Sequence, residues 1–124
     1  MKGLIPFLWF DTQAEEAARF YAQTFPRARF GEIRRFGAGN PHGDEGSVMT
    51  ASFELAGQIV VALNGNEDHE FSPASSLLFF CESADEAERL IAELSAGGQR
   101  QPGGWLRDRY GVSWQIICHN PLFI

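Results

Sequence analysis

The sequence predicts an α+β fold in which one small module is used twice, and three observations lead there. First, a strand-then-helix signature recurs. Phe7-Leu8-Trp9-Phe10-Asp11 runs straight into a helical stretch ending near Tyr21, and Leu77-Leu78-Phe79-Phe80-Cys81-Glu82 runs into another ending near Ile91. Second, both helices open with the spacing of a capping box, Thr12 with Glu15 and Ser83 with Glu86, which satisfies free backbone N–H groups reciprocally. Third, the first helix is followed by three extended runs broken by turn residues, the pattern of a meander.

Element by element, residues 4–10 read as the first strand. Residues 14–25 read as a helix whose apolar stripe is Ala14, Ala17, Ala18, Tyr21 and Phe25. Pro26 marks its exit. Residues 28–36 read as a second strand and 37–46, rich in Gly, Asn, Pro and Asp, as a polar loop. Residues 48–55 alternate well enough for a third strand, Gly57-Gln58 reads as a tight turn, and residues 59–63 as a fourth strand.

The second module follows Asn64 to Glu70. Its strand is 77–81, and its helix places Ala87, Leu90, Ile91 and Leu94 on one face. Gly97-Gly98 ends that helix, because glycine enters the left-handed region cheaply. Residues 99–102 allow only a short edge strand, and 105–109 with 112–118 form a hairpin-like pair around Tyr110-Gly111. The expected division is one domain, 1–124, made of modules 1–65 and 66–124. A helix over one sheet face leaves the other face to curl around a cavity or meet a partner sheet. Exposed sheet edges in so short a chain invite a homodimer.

Composition narrows the partners. At 124 residues and 44% hydrophobic content, the chain can build a real core. Ten Lys and Arg against 16 Asp and Glu leave a formal charge of -6, which repels phosphate backbones and argues against nucleic acid. Residues 4–10 are too short for a membrane or targeting segment. With no signal peptide, Cys81 and Cys118, each in an apolar run, read as buried reduced thiols of a cytoplasmic protein. No Gly-x-Ser-x-Gly elbow, P-loop or zinc cysteine cluster is present in the sequence.

Several runs also resemble a known family. They are Pro6 to Phe10, Ala14 to Tyr21, Phe25-Pro26, Gly46 to Leu55, Ala62-Leu63-Asn64-Gly65 and, above all, Gly104-Trp105-Leu106-Arg107-Asp108-Arg109-Tyr110-Gly111-Val112-Ser113-Trp114-Gln115-Ile116. Together they resemble the vicinal oxygen chelate superfamily, in its PhnB-like branch, often labelled 3-demethylubiquinone-9 3-methyltransferase domain. The resemblance implies two βαβββ modules forming a curved mixed sheet around a cavity, the glyoxalase/bleomycin resistance/dioxygenase fold. It also implies a homodimer with a small-molecule ligand. Methyl transfer does not follow from the label. An adenosyl cofactor usually needs a Gly-rich strand-to-helix turn, whereas Gly37, Gly39, Gly43 and Gly46 fall between candidate antiparallel strands.

Carried onto this chain, the superfamily's metal-ligand positions fall at or near Phe7, Asn64, Ser76 and Gln115. These are poor ligands for a catalytic transition metal, which wants imidazole or carboxylate, so no metal and no cofactor are expected. His42, His69 and His119 share no ligand spacing; His69 is the one expected beside the cavity mouth. The ligand-binding candidates are Trp9, Phe10, Asn64, His69, Phe71, Trp105, Asp108 and Gln115, with Phe53 a further aromatic that could line the cavity. Trp114 and Gln115 face opposite ways on the last strand, and the reading puts Trp114 under the helix and Gln115 inward. Asp108 is the candidate general base if burial raises its pKa; otherwise it sits in a surface turn paired with Arg107 or Arg109. The leading expectation is a metal-free binding protein or an enzyme of unknown reaction. Its competitors are a metal-dependent isomerase, dioxygenase or fosfomycin-resistance-type enzyme using His69, Glu54 or Asp108, and a drug-sequestering, bleomycin-resistance-type protein with an acidic cleft.

Overall fold

The structure is a computed structural model and describes residues 3–118. The chain divides into two compact units, Met1–His69 and Glu70–Ile124. The first contains β1 (Phe7–Phe10), α1 (Ala14–Thr24), β2 (Ala28–Arg35), β3 (Val48–Leu55) and β4 (Gln58–Asn64). The second contains β5 (Leu77–Phe80), α2 (Ala84–Ser95), β6 (Gln99–Arg100), β7 (Trp105–Arg107) and β8 (Ser113–Ile117). The two sheets have matching orders, β1-β4-β3-β2 and β5-β8-β7-β6. In each, the first strand runs parallel to the last and the remaining pairs are antiparallel. The duplicated α+β architecture read from the sequence is the one observed.

In the first unit, α1 packs its alanine side on the sheet. Ala14, Ala17 and Ala18 are fully buried, and their small side chains let the helix approach closely. Tyr21 then fills the deeper space, its ring 5.3 Å from that of Phe53. Leu8, Phe10, Ala51, Leu55, Val60 and Ala62 complete the helix-facing layer. At the helix margin the Arg19 guanidinium sits over the Phe30 ring at 4.1 Å, a cation–π contact. In the second unit, Ala87, Leu90, Ile91 and Leu94 form the buried helix stripe, as their spacing predicts. They face a layer containing Phe79, Leu106, Trp114 and Ile116.

Two local expectations are corrected. Thr12 does not cap α1; the N-cap residue is Gln13 and its side chain makes no capping bond. The Ala14 N–H instead donates to Asn64 Oδ1 at 2.8 Å, from the end of β4. The reason is topological. The segment after β1 is already held to the β4 exit, since Gly65 N–H donates to Phe10 O and Asn66 N–H to Asp11 O. A β4 side chain can therefore reach the first free helix N–H. The β3–β4 turn is Ala56-Gly57 rather than Gly57-Gln58, with φ of 48° and 88°. Two successive positive φ values belong to the type I′ turn, whose twist suits a hairpin. The second capping site forms as predicted in its main bond: Glu86 N–H donates to Ser83 Oγ at 3.1 Å. The Glu86 carboxylate reaches back to the Glu82 N–H at 3.3 Å.

Candidate functional site

Each sheet turns one face to its helix and leaves the other open. On β1, strand alternation sends Leu8 and Phe10 to the helix and Phe7 and Trp9 to the open face, where Phe7 is 60% exposed. Phe7 lies opposite Val61, and Val61 opposite Ser52, so one row of the open face crosses three strands. Around it is a concavity of about 350 Å³ lined by Phe7, Glu32, Arg34, Met49, Thr50, Ser52, Ile59 and Val61. Its floor is apolar, and its charged groups both come from β2.

A β-bulge puts them there. Phe30 pairs with Phe53, yet the next pair is Ile33 with Ala51, so β2 carries one extra residue against β3. Uninterrupted alternation from the helix-facing Phe30 would send Ile33 outward and Arg34 inward. The extra residue reverses this, returning Ile33 to the layer of Ala51 and bringing Arg34 opposite Thr50 on the open side. Gly31 permits the bulge, because a Cβ there would collide with Ser52. Ser52 seals it: Glu32 N–H donates to Ser52 Oγ at 3.0 Å. Arg34 Nη2 donates to Glu32 Oε1 at 3.1 Å, with 70% and 67% of the two side chains exposed.

Beyond the concavity, at the end of β1, the Trp9 indole covers Gly65, where any side chain would strike the ring. Trp9 Nε1–H donates to Glu67 O at 3.0 Å. The His69 ring meets Trp9 edge-on at 5.2 Å, and His69 Nε2 lies 3.8 Å from Glu67 Oε2. A polar groove of about 570 Å³ adjoins this cluster, with His42, Asp44, Asn66 and Glu67 in its walls. Asn66 Nδ2 donates across it to His42 O at 2.8 Å. Its walls are loop residues without an apolar floor, so it offers a ligand little hydrophobic burial; the β-sheet concavity offers more.

On the open face of the second sheet, Gln115 has Leu78 and Trp105 as its cross-strand neighbours. Gln115 Nε2 donates to Gly103 O at 3.3 Å. Trp114, on the opposite face, is 1% exposed beneath α2. Asp108 is 2% exposed, so it lies inside the protein rather than in a surface turn. Its Oδ1 accepts from the N–H groups of Tyr110 and Val112 at 2.8 and 3.0 Å, and its Oδ2 from Trp114 Nε1–H at 2.9 Å. This carboxylate ties the turn before β8 to the buried indole. Phe71 is half-buried and lies beside Gly111.

Among the predicted site residues, Trp9, Trp105 and Gln115 stand on open sheet faces, and His69 joins Trp9. Phe10 and Phe53 point the other way, into the helix-facing core. Asn64 is buried, and both ends of its amide are engaged: Oδ1 holds Ala14, and Nδ2 donates to Val48 O at 3.1 Å. The concavity residues Glu32, Arg34, Met49, Thr50, Ser52, Ile59 and Val61 were not anticipated. Gly31 inside a strand was the available signal, since an isolated strand glycine suggests a bulge. His119 lies outside the described residues.

The positions implied for metal ligation do not fit a divalent cation. Phe7 has no donor atom, Asn64 is committed to the scaffold, Ser76 offers only a hydroxyl, and Gln115 only a neutral amide. The Glu54 carboxylate is paired with Arg29 at 3.2 Å. No group of three or more His, Cys, Asp or Glu side chains converges among the described residues.

Comparison with known proteins places this geometry. The family model described as 3-demethylubiquinone-9 3-methyltransferase matches residues 2–117. A PhnB protein from Bacillus cereus is 33% identical, with a TM-score of 0.78 over 94% of this chain and 100% of that one. A protein from Pseudomonas aeruginosa shares the fold at 24% identity, TM-score 0.77, covering 96% of this chain and 98% of that one. A glyoxalase/bleomycin resistance protein from Albidiferax ferrireducens shares it at 14% identity and a TM-score of 0.60, covering 94% of this chain and 97% of that one. None of the curated proteins compared matches the chain. The chain therefore belongs to the 3-demethylubiquinone-9 3-methyltransferase family, to which the PhnB protein is assigned by its description.

Proposed function

We propose that this chain is a single-domain, cytoplasmic, homodimeric protein that binds a small organic molecule without a metal, on the open face of its first sheet. One observation carries the reading: the concavity floored by Phe7, Met49, Ile59 and Val61 with a few polar groups at its side. Apolar walls with a small number of oriented polar groups are the usual composition of a ligand site. Its volume of about 350 Å³ is near the lower end of the range of roughly 300–1,000 Å³ for such sites, which favours a small ligand. Large apolar side chains left on an open face also favour a homodimer, since contiguous exposed patches mark interaction surfaces. Among the described residues no helix is long and apolar enough to cross a membrane. Cys81 is buried and Cys118 half-buried, and reading both as reduced thiols suits a reducing compartment.

The family description is not the proposed activity. The strand-to-helix turns are residues 11–13 and 81–83, and neither contains a glycine. The glycines at 37, 39, 43 and 46 lie between β2 and β3, which pair antiparallel.

A neutral apolar probe tests the site directly. In an NMR titration of the full chain, 3-phenylpropan-1-ol should perturb amides of β1, β3 and β4 around Phe7, Thr50 and Val61. The V61E variant, whose new carboxylate would stand in the floor, should lose that response while keeping its circular-dichroism spectrum. Shifts confined to other strands, or an unchanged response in V61E, would overturn the assignment. Sedimentation should give a dimer; a monomer at all concentrations would contradict the dimeric part.

A further inference from the structure

The charged groups of the concavity specify more than a small ligand. We propose that the site takes a small zwitterion with an apolar body, of the α-amino acid class, its carboxylate on Arg34, its ammonium on Glu32 and its side chain on Phe7, Ile59 and Val61. This rests on the binding site proposed above and adds the class of ligand.

The argument starts from the bulge. Among the described residues of the lining, Glu32 and Arg34 are the only charged side chains, and they carry opposite signs. The extra residue in β2 brings Arg34 onto the open side, beside an apolar floor, where strict alternation would have turned it toward the helix. Their own contact is a single hydrogen bond of 3.1 Å between two largely exposed groups. Pairs of that kind are worth about 1 kcal/mol or less, so a ligand can exchange partners with them at little cost.

Charge balance then selects among ligands. A monoanion that takes Arg34 leaves two carboxylates sharing one guanidinium. A monocation that takes Glu32 leaves the guanidinium without its counter-charge. A neutral ligand uses the floor and ignores the pair. A zwitterion replaces the single internal contact by two charge-assisted bonds and leaves no charge unmatched. The neighbouring Arg29–Glu54 pair, on the same face, is internally neutral and does not alter that balance.

Four probes sharing a phenyl body separate the possibilities in titrations of the full chain: 3-phenylpropan-1-ol, 3-phenylpropanoate, 3-phenylpropylamine and L-phenylalanine. Phenylalanine should bind about fivefold or more tightly than each of the others, the factor that one exposed charge contact of about 1 kcal/mol supplies. E32Q should weaken phenylalanine and strengthen 3-phenylpropanoate, whereas R34Q should weaken phenylalanine and strengthen 3-phenylpropylamine. Both substitutions lie on an exposed strand surface, and unchanged thermal unfolding would confirm the fold. If all four probes bind equally at the concavity, or phenylalanine binds most weakly, the zwitterion assignment is overturned while the binding site stands. If no probe binds, both fall.

Discussion

At the scale of single residues, Asp108 and Asn64 hold the scaffold with groups that a sequence also offers for chemistry. The Asp108 carboxylate receives three N–H donors inside the protein, two from its own turn and one from the Trp114 indole. Asp108→Asn would put an amide where the indole N–H requires an acceptor or lose one of the turn bonds. The expected cost is about 1.5–3 kcal/mol in urea unfolding, the range for a hydrogen bond to a charged group. Combining it with Trp114→Phe should cost less than the sum of the two changes, since they remove the same bond. A D108N variant within about 0.5 kcal/mol of the parent, the range of ordinary surface changes, would show that the carboxylate is not structural. A turn role for Asp108 was legible, because Asp commonly bonds to backbone N–H groups nearby in its own turn. Its burial was not, because that depends on where β8 places Trp114. Asn64 was harder still, since its partner Ala14 lies 50 residues away.

Among the elements, α2 was read closely and β2 was misread in its consequences. The α2 stripe is strictly periodic and its Ser83 cap is local, so both follow from neighbouring residues. On β2 the strand limits were nearly right, but the facing of Ile33 and Arg34 depends on one inserted residue. The candidate site named Trp9, Phe10, Phe53 and Phe71 as aromatics of which alternation admits only some to a cavity, and it passed over Glu32 and Arg34, whose facing the bulge sets. The two-residue strand β6 poses a different physical problem, because so short an edge has little ladder to hold it. Arg100 answers it by donating to both oxygens of Glu88 on α2, at 2.7 and 2.8 Å. The side-chain hydrogen bond from Arg100 holds the Glu88 carboxyl below its ordinary range; desolvation opposes it, and the attraction of the guanidinium adds a lesser lowering. A lowered folded-state pKa contributes stability above the unfolded value and loses it as pH falls through the folded value. Glu88→Gln should therefore lower the melting temperature at pH 7. The gap should close as the pH drops below about 4, the ordinary glutamate range, and shrink in high salt. A gap that persists unchanged at low pH would exclude the ion pair as its cause.

For the whole molecule, the duplication was the clearest message of the sequence, and the two sheets share one strand order. They differ in extent. β3 and β4 span eight and seven residues, whereas β6 and β7 span two and three. Longer ladders with both neighbours in place open less readily. Hydrogen exchange should accordingly find the slowest amides of the first unit in β3 and β4, and in the second unit the fastest strand amides in β6. Protection of β6 equal to that of β4 would contradict this. The open faces were predictable in number, one per module, but their lining was not, because lining is set by register.

The parallel pairing of β1 with β4, and of β5 with β8, has a consequence for synthesis. Each module's opening strand has no partner until its closing strand has been made. On the ribosome, Phe7 to Phe10 must wait, exposed and apolar, while α1, β2 and β3 emerge, until Val61 to Asn64 arrive to receive them. The antiparallel β3–β4 hairpin can begin pairing through its tight turn at Ala56-Gly57 before β1 is docked. The first module can then be finished before most of the second has left the ribosome, because all its strands lie before residue 65. Vectorial synthesis thus turns one spatial repeat into two successive folding events, each ending when a waiting strand is finally paired.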